Sequence, residues 1–376
     1  MFYGSNRIAS LLALGLVSTA GHAASYVTQT TPFNLLSVTG HTAINAWAGG
    51  FGCPDTVGDD SISAEITLPF TFTLGTIVYT SVRVMTNGRL QFNNTRCSFG
   101  TQSVGPPRTY FDPMPATTLN NTLRVYGADL DRSAGGSITY GTSGAAPNRR
   151  FVVTWNNVPQ WNAAGTSYNL QIQLAEDGDF YFMYGVSSNV SGTTTLGPAQ
   201  IGWQLTTTDF ELVQTGLPVN NSGWRFRPNK PLLIISKSSV VLRDPINGTI
   251  NPKRIPGSFV EYSVTVTNTG AGVASTVFIT DPVPANTELF VATSGGPPIT
   301  FVNGVVVSGL SFTYPANATF SNIAGGGAPY SYVPVANANG VDPLVTGMRL
   351  APSGSLLGAS ATGNPSFTLR FQARVR

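Results

Sequence analysis

FVEYSVTVTNTGAGVASTVFITDPVPANTELF, residues 259–290, is the stretch from which the architecture of this chain can be read. Tyr262, Val264 and Val266 fall on one side of an extended backbone, and Glu261, Ser263, Thr265 and Thr267 on the other. Apolar residues at period two, with β-branched residues on both faces, mark a half-buried strand. Asn268-Thr269-Gly270 then predicts a reversal of the chain. Val277–Thr280 predicts a second strand that ends at Asp281-Pro282-Val283-Pro284. Proline cannot donate to a ladder, so a strand stops there or lies at a sheet edge.

The same period runs outward from this stretch in both directions. Towards the C-terminus, ITFVNGVVVS (299–308) predicts a hairpin turning at Asn303-Gly304, and FTLRFQARVR (367–376) a last core strand. Towards the N-terminus, LLIIS (232–236) opens the second domain, and RFRPNKPL (225–232) marks the boundary, because two prolines favour an extended connection. Before it, SVRVMTNGRLQF (81–92) predicts a hairpin with a two-residue Asn87-Gly88 turn. YNLQIQLAEDGDFYFMYG (168–185) predicts another, turning at Glu176–Asp179 with Leu170, Ile172 and Leu174 facing the core. RRFVVTWNNVPQW (149–161), AQIGWQL (199–205), DFELVQTG (209–216) and GWRFRP (223–228) supply further strands. The fold class expected is therefore all-β, two β-sandwich domains in tandem, covering residues 24–228 and 229–376.

Composition agrees with an exported β protein. Only 10% of the 376 residues are charged, yet 41% are hydrophobic, enough for sizeable cores, and 41 glycines and 26 prolines supply turns. Residues 1–23 read as a secretory signal: Arg7, a short apolar run IASLLALGLV (8–17), then small residues ending Gly21-His22-Ala23. The apolar run is too short to span a bilayer, and no later run is long enough, so no membrane-spanning segment is expected after the signal peptide. A net charge of +3, dispersed along the chain, leaves no basic patch and excludes nucleic acid as a partner.

Two resemblances follow from these residues. LPFTFTLGTIVYTSVRVMTNGRLQF, GADLDRSAGGSITY, RRFVVTWNNVPQWN, the EDGD hairpin and AQIGWQ resemble, in order and spacing, the nidogen-like domain of extracellular proteins, over residues 62–205. The 259–290 stretch resembles an immunoglobulin-like β-sandwich repeat of prokaryotic surface proteins, whose signature is a YTVTVTNTG strand followed by a D-x-x-P corner. Together they imply a secreted or cell-surface bacterial protein, an adhesive module or structural spacer, whose partner is an extracellular or envelope protein or glycan. The nidogen-like resemblance brings no catalytic residues with it.

Several residues invite chemistry. Cys53 and Cys97, in a chain expected to be exported, predict a disulfide. Asp55, Asp59 and Asp60 crowd the loop CPDTVGDD (53–60) and are candidate calcium ligands, although the loop lacks the D-x-D-x-D-G spacing and also reads as a solvated turn. Asp129 and Asp131 offer a second carboxylate pair that also suits loop capping. Lys237 or Lys253 with Asn364, beside Glu261, raises the idea of an isopeptide cross-link. Outside the signal the only histidine is His41, and no serine sits in a G-x-S-x-G elbow, so a hydrolytic triad has no signature and no enzyme is expected. Carbohydrate binding remains an alternative, with the five tryptophans as candidate stacking surfaces. A glycoside hydrolase needs only two carboxylates, but no pair stands out.

Overall fold

A computed structural model describes residues 13–15, 24–48, 53, 57–97, 112–188, 193–194 and 197–376. The rest of the expected signal segment and Asp55 lie outside the described residues. Those described are all-β, with one 3-10 turn at Thr117–Leu119. Among them no helix is long and apolar enough to cross a membrane. The chain divides into two compact units, Ala23–Pro228 and Asn229–Arg376, the latter together with Met1–His22.

In the unit Ala23–Pro228, an antiparallel sheet runs in the order Tyr26–Thr31, Ser222–Pro228, Phe180–Tyr184, Ala163–Ala175, Arg150–Gln160, Ser137–Ser143, Thr42–Ala43. A second sheet runs Phe210–Thr215, Gln200–Gln204, Thr122–Arg124, Arg89–Gln91, Ile77–Met85, Ile62–Ser63, Trp47–Ala48. Ile66–Leu74 adds to Ile77–Met85, but their pairing skips from Thr67 to Phe72. Pro69 explains the gap, because its nitrogen has no proton to give the ladder; its carbonyl accepts instead from Arg149 Nη1 at 2.7 Å. One buried cluster joins the inner faces of both sheets, with Trp155, Ile172, Phe182 and Phe226 from the first and Leu90, Leu123 and Trp203 from the second. Phe180 stacks on Phe226 at 4.4 Å between centroids, a contact worth about 1 kcal/mol beyond area burial.

The unit Asn229–Arg376 is built on Phe259–Asn268, flanked by Leu233–Arg243 and Ser366–Val375. Tyr262, Val264 and Val266 are buried while the residues between them are half-exposed, as period two requires. Their core partners come from Phe278–Pro282, Gly347–Leu350 and Ala318–Ser321, which form a separate sheet. Ala13–Gly15 pairs by backbone with the edge of that sheet at Phe278–Thr280.

Two local expectations give way. The turn between Ile77–Met85 and Arg89–Gln91 has three residues, because Met85 pairs with Arg89 across Thr86-Asn87-Gly88. The hairpin at Asn303-Gly304 does not form: Ile299–Asn303 pairs with the C-terminal strand instead. Asn303 Oδ1 accepts from Ser308 N–H at 2.9 Å, and Gly304 N–H donates to Ser366 O, so the turn chemistry of Asn-Gly serves a loop. Lys237 faces Asp281 at 2.7 Å, Lys253 faces Asn251, and Asn364 is exposed.

Candidate functional site

Three segments of the first unit meet at one end of its sheets: the loop 57–61, the turn 86–88 and the stretch 127–132. The turn supplies the centre. Gly88 adopts φ +68°, which L side chains seldom take, and a Cβ there would collide with the Tyr126 carbonyl oxygen. Thr86 N–H donates to Ser61 O at 3.0 Å, and Trp155 Nε1 donates to Thr86 O at 2.8 Å from the core side. Asn87 is fully buried, its Nδ2 donating to Asp60 Oδ1 at 2.7 Å and its Oδ1 accepting from Leu130 N–H at 2.9 Å. One side chain thus ties all three segments together.

The outcome for the carboxylates is convergence of two stretches that are far apart in sequence. Asp59, Asp60 and Asp129 each present an oxygen within 4.8 Å of the others, with Asp60 and Asp129 buried. Asp60 holds φ +44°, a conformation Asp tolerates better than most residues. Asp131 turns away and caps its own loop, accepting from Ser133 N–H at 2.8 Å and Ala134 N–H at 3.1 Å. Glu176 and Asp179 stand elsewhere, paired with Arg149 and Arg225. Among the described residues, the group that could hold a metal is Asp59, Asp60 and Asp129. An all-carboxylate set suits a hard cation such as calcium, for which three ligands fall short of the usual six to eight oxygens.

Cys53 and Cys97 form a disulfide with Cα atoms 4.8 Å apart, and it packs on Ile62 and Met85 just behind the carboxylate loop. His41 lies apart, its ring against Gly141, and burial lowers its pKa. Trp155 and Trp203 are core residues, while Trp47 and Trp224 are partly buried against the same core.

Strand period did not reveal a buried polar layer on the second sheet. Arg89, Gln91 and Arg124 should face solvent by alternation, yet all three are fully buried. Burial pushes the Arg89 guanidinium down to about 10, against the pull of Asp112 and Asp60, and lowers Arg124 as well. Arg124 donates to Asp112 O at 2.8 Å and Gln200 Oε1 at 3.3 Å, and Arg96 pairs with Asp112 at 3.1 Å. The sequence signal is slight: Arg89 and Gln91 flank Leu90 on one short strand, and Arg124 stands opposite Arg89 on the next.

Compared with known proteins, residues 25–223 match a family model described as NIDO related, which takes in all three segments of the site. No curated protein and no solved structure matches the chain.

Proposed function

The chain belongs to the NIDO-related family through residues 25–223, and on that premise we propose that it is a secreted or surface-held bacterial protein that binds or spaces without turnover. The observation that carries this reading is the family membership, and the Cys53–Cys97 disulfide, which suits an oxidising compartment, supports it. Rigid sheets with loops gathered at their ends suit recognition, since the frame fixes the loops at little entropic cost. The second unit is read as an immunoglobulin-like spacer or adhesive repeat. Its partner is an extracellular or envelope protein or glycan.

The test is fractionation of the producing cell with surface labelling, followed by a binding screen of the exported chain against envelope and matrix proteins. The protein should be found outside the cytoplasm with Cys53 and Cys97 protected from alkylation until reduced. A wholly cytoplasmic protein with free thiols defeats the location, and specific polysaccharide hydrolysis lost on changing one carboxylate defeats the role.

A further inference from the structure

We propose that the unit Asn229–Arg376 carries a binding groove for a neutral carbohydrate chain, formed by residues 291–297, 312–320 and 330–336. The proposal rests on the reading of this protein as a binding module and supplies it with a site and a ligand class. The groove has a volume of about 1270 Å³ and is open to solvent. That is above the roughly 300–1,000 Å³ of small-molecule pockets, and an open form suits a chain of linked rings.

Its walls present rings. Phe312, Tyr314, Tyr330 and Tyr332 line it, each half-buried, so each keeps some ring surface in water. Phe320 lies buried beneath, meeting Tyr314 edge-on at 6.4 Å. The rings are set before any ligand arrives. Tyr332 donates its hydroxyl to Asp342 at 2.9 Å and its N–H to Phe320 O at 3.0 Å, and Asp342 also accepts from Val335 N–H at 2.7 Å. The turn bearing Tyr314 is closed by Thr313 N–H donating to Asn317 Oδ1 at 2.7 Å. Prior ordering of this kind lowers the entropic cost of binding.

The chemistry of the lining selects the ligand. It includes no Asp, Glu, Lys, Arg or His, so a nucleic acid, an acidic polysaccharide or a charged peptide finds no counter-charge. It is not a lipid slot either, because exposed hydroxyls of Ser294, Thr313, Thr319 and Ser331 sit among the rings. A neutral sugar has the matching pattern: flat C–H faces to lie on rings, and a rim of hydroxyls that both donate and accept. A proline-rich peptide also favours aromatic grooves and is the competitor that the experiment must separate.

The test is calorimetric titration of the exported chain with neutral glucose and mannose hexaoses in α and β linkages. An acidic hyaluronan fragment and a proline-rich peptide serve as comparisons. At least one neutral hexaose should bind at millimolar concentration or tighter, with Tyr314→Ala and Tyr330→Ala each weakening it by roughly tenfold. Thr319→Lys, an exposed change that leaves the rings in place, should also weaken it and guards against a misfolded Tyr314 variant. Absence of binding by every neutral hexaose, binding indifferent to all three changes, or preference for the peptide overturns the proposal. None of those results alters where the protein is found, so the location stands or falls on its own test.

Discussion

Lys237 and Asp281 join two different sheets of the second unit. The carboxylate side chain is fully buried, and the ammonium lies 2.7 Å from it with the Tyr262 and Phe371 rings at 5.2 and 5.5 Å. Burial raises the Asp281 pKa even against the pull of Lys237. Lys237→Met should therefore leave a stranded buried carboxylate and cost about 3–5 kcal/mol in urea unfolding at neutral pH. The sign of its pH dependence follows: a folded-state pKa above the unfolded value gives stability that is full at low pH and lost as pH rises through it. The variant should recover towards the wild type on acidification, and a deficit constant from neutral to mildly acid pH would contradict the assignment. Asp244 carries the opposite shift. The Asn247 N–H foremost, with those of Lys253 and Ile246, holds its pKa at about 2, below the ordinary 3.8. Its contribution is present above 3.8 and lost as pH falls through about 2. Melting curves of wild type and Asp244→Asn should then converge between those limits, and curves that stay parallel there would argue against the cap.

Among elements, the turn at Thr86-Asn87-Gly88 carries most of the candidate site. Gly88→Ala should destabilise the first unit by roughly 2–3 kcal/mol or more, from backbone strain together with the collision at Tyr126. Asn87→Ala should cost about 3 kcal/mol, because it leaves the Leu130 N–H and an Asp60 oxygen short of a buried partner. Chemical denaturation of both variants measures this, and changes below about half a kilocalorie, the size of an ordinary surface substitution, would reduce Asn87 to a turn residue. Asn-Gly correctly marks a reversal, because its local backbone preference survives folding, whereas the length of the turn depends on Met85–Arg89 pairing across the strands. At Asn303-Gly304 the same dipeptide gives no hairpin, since Ile299–Asn303 finds its partner some seventy residues away in Phe367–Phe371. Period two located the strands and the core positions of 259–268 and 168–185 for the same local reason. It could not show that Asp129 would meet Asp59 and Asp60, or that Arg89 and Arg124 would be covered, because those are contacts between distant stretches.

At the scale of the whole chain, the distribution of two residue types makes the stability of each unit separately visible. All five tryptophans, Trp47, Trp155, Trp161, Trp203 and Trp224, belong to the unit Ala23–Pro228, and so does the disulfide. Tryptophan fluorescence therefore reports that unit, while far-ultraviolet circular dichroism reports the strands of both. The Cys53–Cys97 bond spans 44 residues, and closing a loop of that length restricts the unfolded chain by about 4 kcal/mol on the entropic argument. In a unit of this size that corresponds to a fall in Tm of roughly 10 °C when Cys53 and Cys97 are both changed to Ser. The fluorescence transition should move by that amount. The part of the dichroism change that comes from Asn229–Arg376 should stay in place, because that unit has its own buried core, centred on Val264, Ile279, Leu369 and Phe371. Equal shifts in both signals would mean that the two cores unfold as one. A fluorescence transition unmoved by the double change would mean that the disulfide closes a loop already ordered without it.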